Sequence, residues 1–204
     1  VPDGVDLEIG GTVEDQGDAF SDLGVLFILI VILVYIVMAT QFESLLFPFI
    51  IMFTIPFAFT GVFVALWMTS TPLSLIALIG AIMLVGIVTK NGIVMVDYMN
   101  LLIERGAGVF DAVIAGGKSR LRPVLMTSFK TILGMVPLAI GTGAGSETWQ
   151  PMGIAVIGGL TCSTILTLFI VPALYSVMVN RSQRKERQRI AKLQASHQAD
   201  NFNK

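Results

Sequence analysis

Two lysines stand inside long apolar runs: Lys90 in MLVGIVTKNGIVMVDYMN and Lys130 in RPVLMTSFKTILGMVP. A charge at the centre of a bilayer costs at least ~2.5–3.5 kcal/mol on insertion scales. Such residues usually face a bundle interior and serve an ion pathway, a proton relay or a counter-ion. Lys90 precedes the polar end of its run by ten residues, which places it about 15 Å deep in a helix. That is too deep for comfortable snorkelling to the interface. Helical spacing sets Met83, Gly86, Lys90, Val94 and Asp97 on one face. Gly86 on that face would admit a close neighbouring helix. Asp97 lies two turns nearer the polar end, so it does not pair with Lys90 directly. In the next run, Thr127, Lys130, Thr131 and Gly134 form a second stripe, with Lys130 at a depth similar to Lys90. Two lysines at one depth cannot both stay charged without carboxylates nearby. The acids are expected from helices outside this chain, or the lysines are neutral for part of a cycle. The plainer alternatives are a structural ion pair for Lys90 and an interfacial carboxylate for Asp97.

The elements that position these residues follow from composition. Of 204 residues, 54% are hydrophobic and 13% charged, against about 25% charged in a soluble domain. Five apolar stretches, at about 23–40, 48–68, 73–100, 123–140 and 153–179, approach or exceed the ~20 residues that a membrane-spanning helix needs. The expected fold is an all-α, polytopic bundle of five transmembrane helices. Pro56, Pro137 and Pro172 fall within the spans, where a lost backbone bond kinks a helix.

The formal net charge of −1 conceals a segregation. Residues 1–22 carry seven acids and no base, and residues 181–204 carry seven bases against two acids. With five spans, the connections at 41–47 and 101–122 and the end at 180–204 share one side, which holds eleven of the thirteen basic residues. Basic loops stay in the cytoplasm. The N-terminal end is therefore expected outside and the C-terminus inside. The basic tail reads as a topology anchor with a frayed helix. Residues 1–22, with a short strand at 5–9, read as the tail of an extracytoplasmic domain, and the whole as the C-terminal piece of a longer protein.

Other chemistries find little support. A nucleic-acid interface needs a basic face, which is missing between the ends. One cysteine and one histidine leave no disulfide framework and make a Cys/His metal site remote. There is no His-Glu-x-x-His or Gly-x-Ser-x-Gly pattern. The loop GTGAGSETWQP lacks the Lys-Ser/Thr of a phosphate cradle and follows no strand. Cys162 reads as a small packing residue.

VGIVTKNGIVMVDY, followed by SRLRPVLMTSFKTILGMVPLAIGTGAGSETWQPMGIAVIGGL, resembles the resistance-nodulation-division (RND) efflux pumps, most of all the hydrophobe/amphiphile (AcrB-like) branch. QFESLLFPFIIMFTIPFAFTGV also looks like that family's cytoplasmic connection and following helix. The resemblance covers residues 10–179. It implies a secondary transporter, not an enzyme, of roughly twelve spans with two large periplasmic domains, of which this chain holds the last five spans. It further implies a bacterial inner-membrane homotrimer. This joins a periplasmic adaptor protein and an outer-membrane channel, and exports amphiphilic compounds against inward proton flow. No cofactor is implied, protons being the coupling ion. By the resemblance Lys90 matches the relay lysine, Thr127 the relay threonine and Arg120 the arginine before it. The paired aspartates belong to a span outside this chain. Lys130 departs from the pattern, as a helper or as a cation facing a different acid. Lys90-Asn91 speaks against the heavy-metal branch. The rivals are a lipid, hopanoid or heavy-metal exporter of the same superfamily, and a membrane scaffold that transports nothing.

Overall fold

The computed structural model describes residues 12–143 and 145–202, with side chains over 16–143 and 145–181. The described residues are helical, without a strand. The chain runs through α1 (Thr12–Phe42), α2 (Leu46–Met52), α3 (Ile55–Met68), α4 (Leu75–Glu104), α5 (Val109–Ile140) and α6 (Gln150–Phe202). Five segments are long and apolar enough to cross a membrane: Gln16–Phe42, Leu46–Met68, Leu75–Glu104, Val109–Ile140 and Gln150–Arg181. These are the five expected spans.

The limits differ from those expected. The strand at 5–9 lies outside the described residues. Residues 12–22, expected as a polar tail, instead form the first turns of α1. Residues 101–122, expected as a loop, are helical except for a turn at 105–108 closed by Gly106 at φ +91°. Low hydropathy there reports poor lipid solubility, not poor helicity. The basic run after residue 180 continues α6. The second span is broken rather than kinked. Pro56 occupies the first turn of α3, where its missing N–H is no loss. The chain relaxes at Phe53–Thr54, where the buried Thr54 hydroxyl donates to the Ile51 carbonyl at 2.7 Å. Pro123 and Pro137 lie within α5, and Pro172 within α6, without ending either helix.

The other ends follow local chemistry. Ser74 caps α4 by accepting from the Ala77 N–H at 3.2 Å. Gly141, left-handed at φ +72°, closes α5. A single 3₁₀ turn, Ser146–Thr148, leads into α6.

α6 is the hub and packs against α3, α4 and α5. Its contact with α3 is made of small residues. A Cβ on Gly158 would overlap Ala65 and stand 2.8 Å from the Gly61 carbonyl oxygen. A Cβ on Gly61 would overlap Cys162. Gly61/Ala65 and Gly158/Cys162 are thus small-xxx-small pairs that bring two backbones together. The core divides in two. One part gathers Val62, Leu66, Ala81, Leu84, Val88 and Leu160. The other gathers Met38, Ile51, Met95, Met99, Val171 and Tyr175. The Tyr175 hydroxyl donates to Asn100 Oδ1, and its ring stacks on Phe47 with centroids 5.7 Å apart. α1 touches the bundle along one edge and leaves Val25, Ile28, Leu29, Ile32 and Ile36 exposed.

Gly158→Leu should lower stability by about 1–3 kcal/mol, the usual range for overpacking. Thermal melting of the detergent-purified protein reads this directly. Melting at the wild-type temperature would contradict the close α3–α6 approach.

Candidate functional site

α4 and α5 lie side by side and enclose a groove of about 600 Å³ between them. Its polar lining is Lys90 and Asn91 from α4, and Thr127, Ser128, Lys130 and Thr131 from α5. Met83, Gly86 and Ile87 supply the apolar part. Among the described residues, none that lines it is a carboxylate. The two stripes expected from helical spacing therefore face one space, and Lys90, Thr127 and Lys130 share it.

The rotation of each helix is set by its buried face. α4 buries Leu84, Val85, Val88, Gly92, Met95, Val96 and Met99, which turns Lys90, Gly86 and Asp97 outward. α5 buries Ala112, Gly116, Val124 and Ser128, which turns Thr127 and Lys130 outward. Ser128 is held from behind: the Thr164 hydroxyl of α6 donates to it at 2.9 Å in a buried position. Gly86 and Gly134 have open space where a Cβ would stand. Gly86 was expected to admit a close helix, and among the described residues none approaches it.

The hydroxyls of the stripe are turned onto their own helix. Thr127 Oγ1 donates to the carbonyls of Pro123 and Val124 at 3.0 and 2.9 Å. Thr131 Oγ1 donates to the Thr127 carbonyl at 2.9 Å. Each spends its proton locally and keeps oxygen lone pairs to accept from the groove. The arrangement is rich in positive charge, and the ligand chemistry that suits it is a carboxylate.

Arg120 and Asp97 are not among the groove's lining residues. Arg120 stands about 10 Å along α5 from Thr127. Its guanidinium lies 4.5 Å from the centre of the Tyr98 ring, a cation–π contact across the α4–α5 seam. Its Nε is buried without a hydrogen-bond partner among the described residues. Asp97 is exposed on α4 beside Tyr98. Sequence reasoning did not single out Tyr98, Ser128 or Thr164. Their pairings join different helices, and spacing along one helix carries no signal of them.

Residues 1–179 match the sequence pattern of the AcrB/AcrD/AcrF family. The chain belongs to that family. The swarming motility protein SwrC of Bacillus subtilis is 40% identical over 185 residues, 90% of this chain and 18% of that protein. The cobalt-zinc-cadmium resistance protein CzcA of Cupriavidus metallidurans is 38% identical over 200 residues, 98% of this chain and 19% of that protein. The multidrug resistance protein MdtC of Proteus mirabilis is 36% identical over 197 residues, 96% of this chain and 19% of that protein. Among solved structures, a heavy metal efflux pump matches with a TM-score of 0.75 and 33% identity, over 84% of this chain and 17% of that one. The chain thus spans about a fifth of the length of the curated family members it matches. Members named for metal resistance and for multidrug resistance match almost equally, so these matches do not assign the chain to either branch.

The Tyr98–Arg120 contact should be measurable. In a double-mutant cycle on melting stability, Tyr98→Leu and Arg120→Met should couple by about 0.5–1 kcal/mol. Tyr98→Phe keeps the ring face and should retain the coupling. Full additivity of Tyr98→Leu and Arg120→Met would refute the contact.

Proposed function

We propose that this chain supplies the coupling half of a proton-driven RND-type efflux transporter, a secondary transporter and not an enzyme. The observation that carries the reading is the groove holding Lys90, Lys130 and Thr127 with no carboxylate among the described residues that line it. Two ammonium groups in hydrocarbon need carboxylates, and a carboxylate that gains and loses a proton changes its hold on them. In the proposed cycle, aspartates from a span outside this chain enter the groove when ionised and ion-pair with Lys90. Protonation breaks the pair, α4 and α5 shift, and the extracytoplasmic domains pass through access, binding and extrusion states. Lys90 is a counter-ion whose partner changes, Thr127 accepts a hydrogen bond within the relay, and Arg120 assists proton exit on the cytoplasmic side. Asp97 sits between the groove and that side as a further candidate.

The same reading places the protein in the bacterial inner membrane, N-terminal end of this chain outward and C-terminus in the cytoplasm, because of the basic asymmetry of its connections. It assembles as a homotrimer with a periplasmic adaptor protein and an outer-membrane channel. The substrates are amphiphilic compounds. A second reading, export of a metal cation, is favoured by the match to CzcA and to the solved heavy metal pump.

The test uses the full-length protein in a pump-deficient host. Ethidium and zinc efflux are followed with and without a protonophore. Wild type should export one of the two and lose export when the proton gradient collapses. Lys90→Ala should abolish export with normal membrane abundance and trimer assembly. Export by Lys90→Ala at the wild-type rate would sink the mechanism.

A further inference from the structure

Lys130 is the cation that the relay pattern leaves over, and the structure puts it in the same groove as Lys90. Its depth excludes an interfacial role. It lies about 12 Å along α5 from Arg122 and about 15 Å from the end at Ile140. Its flanks are apolar: Met126, Phe129 and Leu133 are exposed along the outer side of α5. Water or a lipid headgroup is therefore distant in both directions along the helix. Among the described residues the groove holds two charged groups, Lys90 from α4 and Lys130 from α5, and α6 contributes none of the lining. Asp97 and Arg120 stand outside the lining. Two like charges sharing a low-dielectric space destabilise each other unless each meets an acid.

We propose that Lys130 is a second counter-cation of the coupling groove, paired with a carboxylate of its own on a helix from the rest of the protein. The inference rests on the proton-coupled reading above and extends it. One carboxylate engages Lys90 and another engages Lys130. Both ammonium groups face one groove, so a single acidic helix seated there can serve both. Thr127, one turn before Lys130 on the same stripe, joins the two positions. Lys130 thus tunes the pH at which the groove lets go, since a cation beside a carboxylate lowers the pH at which it takes a proton.

The experiment uses the full-length protein in proteoliposomes with an imposed proton gradient. The probe is whichever of ethidium and zinc the wild type exports. Lys130→Met, Lys130→Arg and Lys90→Ala are compared, with membrane abundance and melting temperature measured for each. Lys130→Met should reduce transport about tenfold at neutral pH, the effect of a one-unit shift in proton affinity. Its pH midpoint should move upward by about one unit, because a lost cation raises the carboxylate's proton affinity. Melting and abundance should stay at wild-type values. Lys130→Arg should recover most of the transport and return the midpoint toward the wild-type position. Wild-type transport by Lys130→Met, an unmoved midpoint, or a loss that Arg does not recover would overturn the proposal, as would a loss that tracks a lowered melting temperature. An inactive Lys90→Ala beside a fully active Lys130→Met removes this inference alone. An active Lys90→Ala removes the coupling mechanism itself.

Discussion

A charge in hydrocarbon must be answered by an opposite charge, and the structure is arranged around two that are unanswered within the groove. Lys90 and Lys130 line a groove that, among the described residues, has no carboxylate. Burial of the apolar faces of α4 and α5 against the bundle turns the polar stripes away from the core, and Lys90, Thr127 and Lys130 line the space between the two helices. The core therefore does more than hold the helices together. By turning Leu84, Val88 and Met95 inward it turns Lys90 outward, and by burying Val124 and Ser128 it turns Lys130 into the same space.

That space keeps its shape because α6 stands behind it. α6 approaches α3 through Gly61, Ala65, Gly158 and Cys162, where lipid offers no hydrophobic drive and close van der Waals contact must supply the affinity. On its other sides it ties α5 through the Thr164–Ser128 hydrogen bond and α4 through Tyr175 and Asn100. The hub is thus fastened to both walls of the groove by polar contacts, which have direction, and to α3 by small residues, which have closeness.

The sequence made some of this legible and hid the rest. The spans were visible because a bilayer demands long apolar runs, and the similar depth of Lys90 and Lys130 followed from helical rise measured against one membrane. The limits of the helices were not, since hydropathy reports solvent preference and says nothing of helicity: residues 109–122, with Lys118, Arg120 and Arg122, are helical although polar. The rotation of one helix relative to another is a property of the packed bundle. So the meeting of Tyr98 with Arg120, twenty-two residues apart, and of Ser128 with Thr164 had no signature in spacing. Lys130 was the ambiguous residue for the same reason. Its depth could be counted, but its bearing toward Lys90 depended on how α5 packs on α4 and α6.

A coupling site must also be unable to satisfy itself. Were a carboxylate of the groove's own walls to hold Lys90 permanently, a proton arriving elsewhere would find nothing to release. The groups here are kept short of partners in different ways. Thr127 returns its proton to its own backbone and leaves its oxygen to accept. Arg120 rests its face on Tyr98, with Nε unpaired among the described residues. A cation–π contact is a weaker hold than a carboxylate, and so it can be exchanged for one. In the proposed cycle the acid comes from outside the five spans. Its protonation then alters an interface between two helical bodies rather than a bond inside one. In that cycle a proton on one oxygen can move helices, because among the described residues the groove offers its lysines no carboxylate of its own.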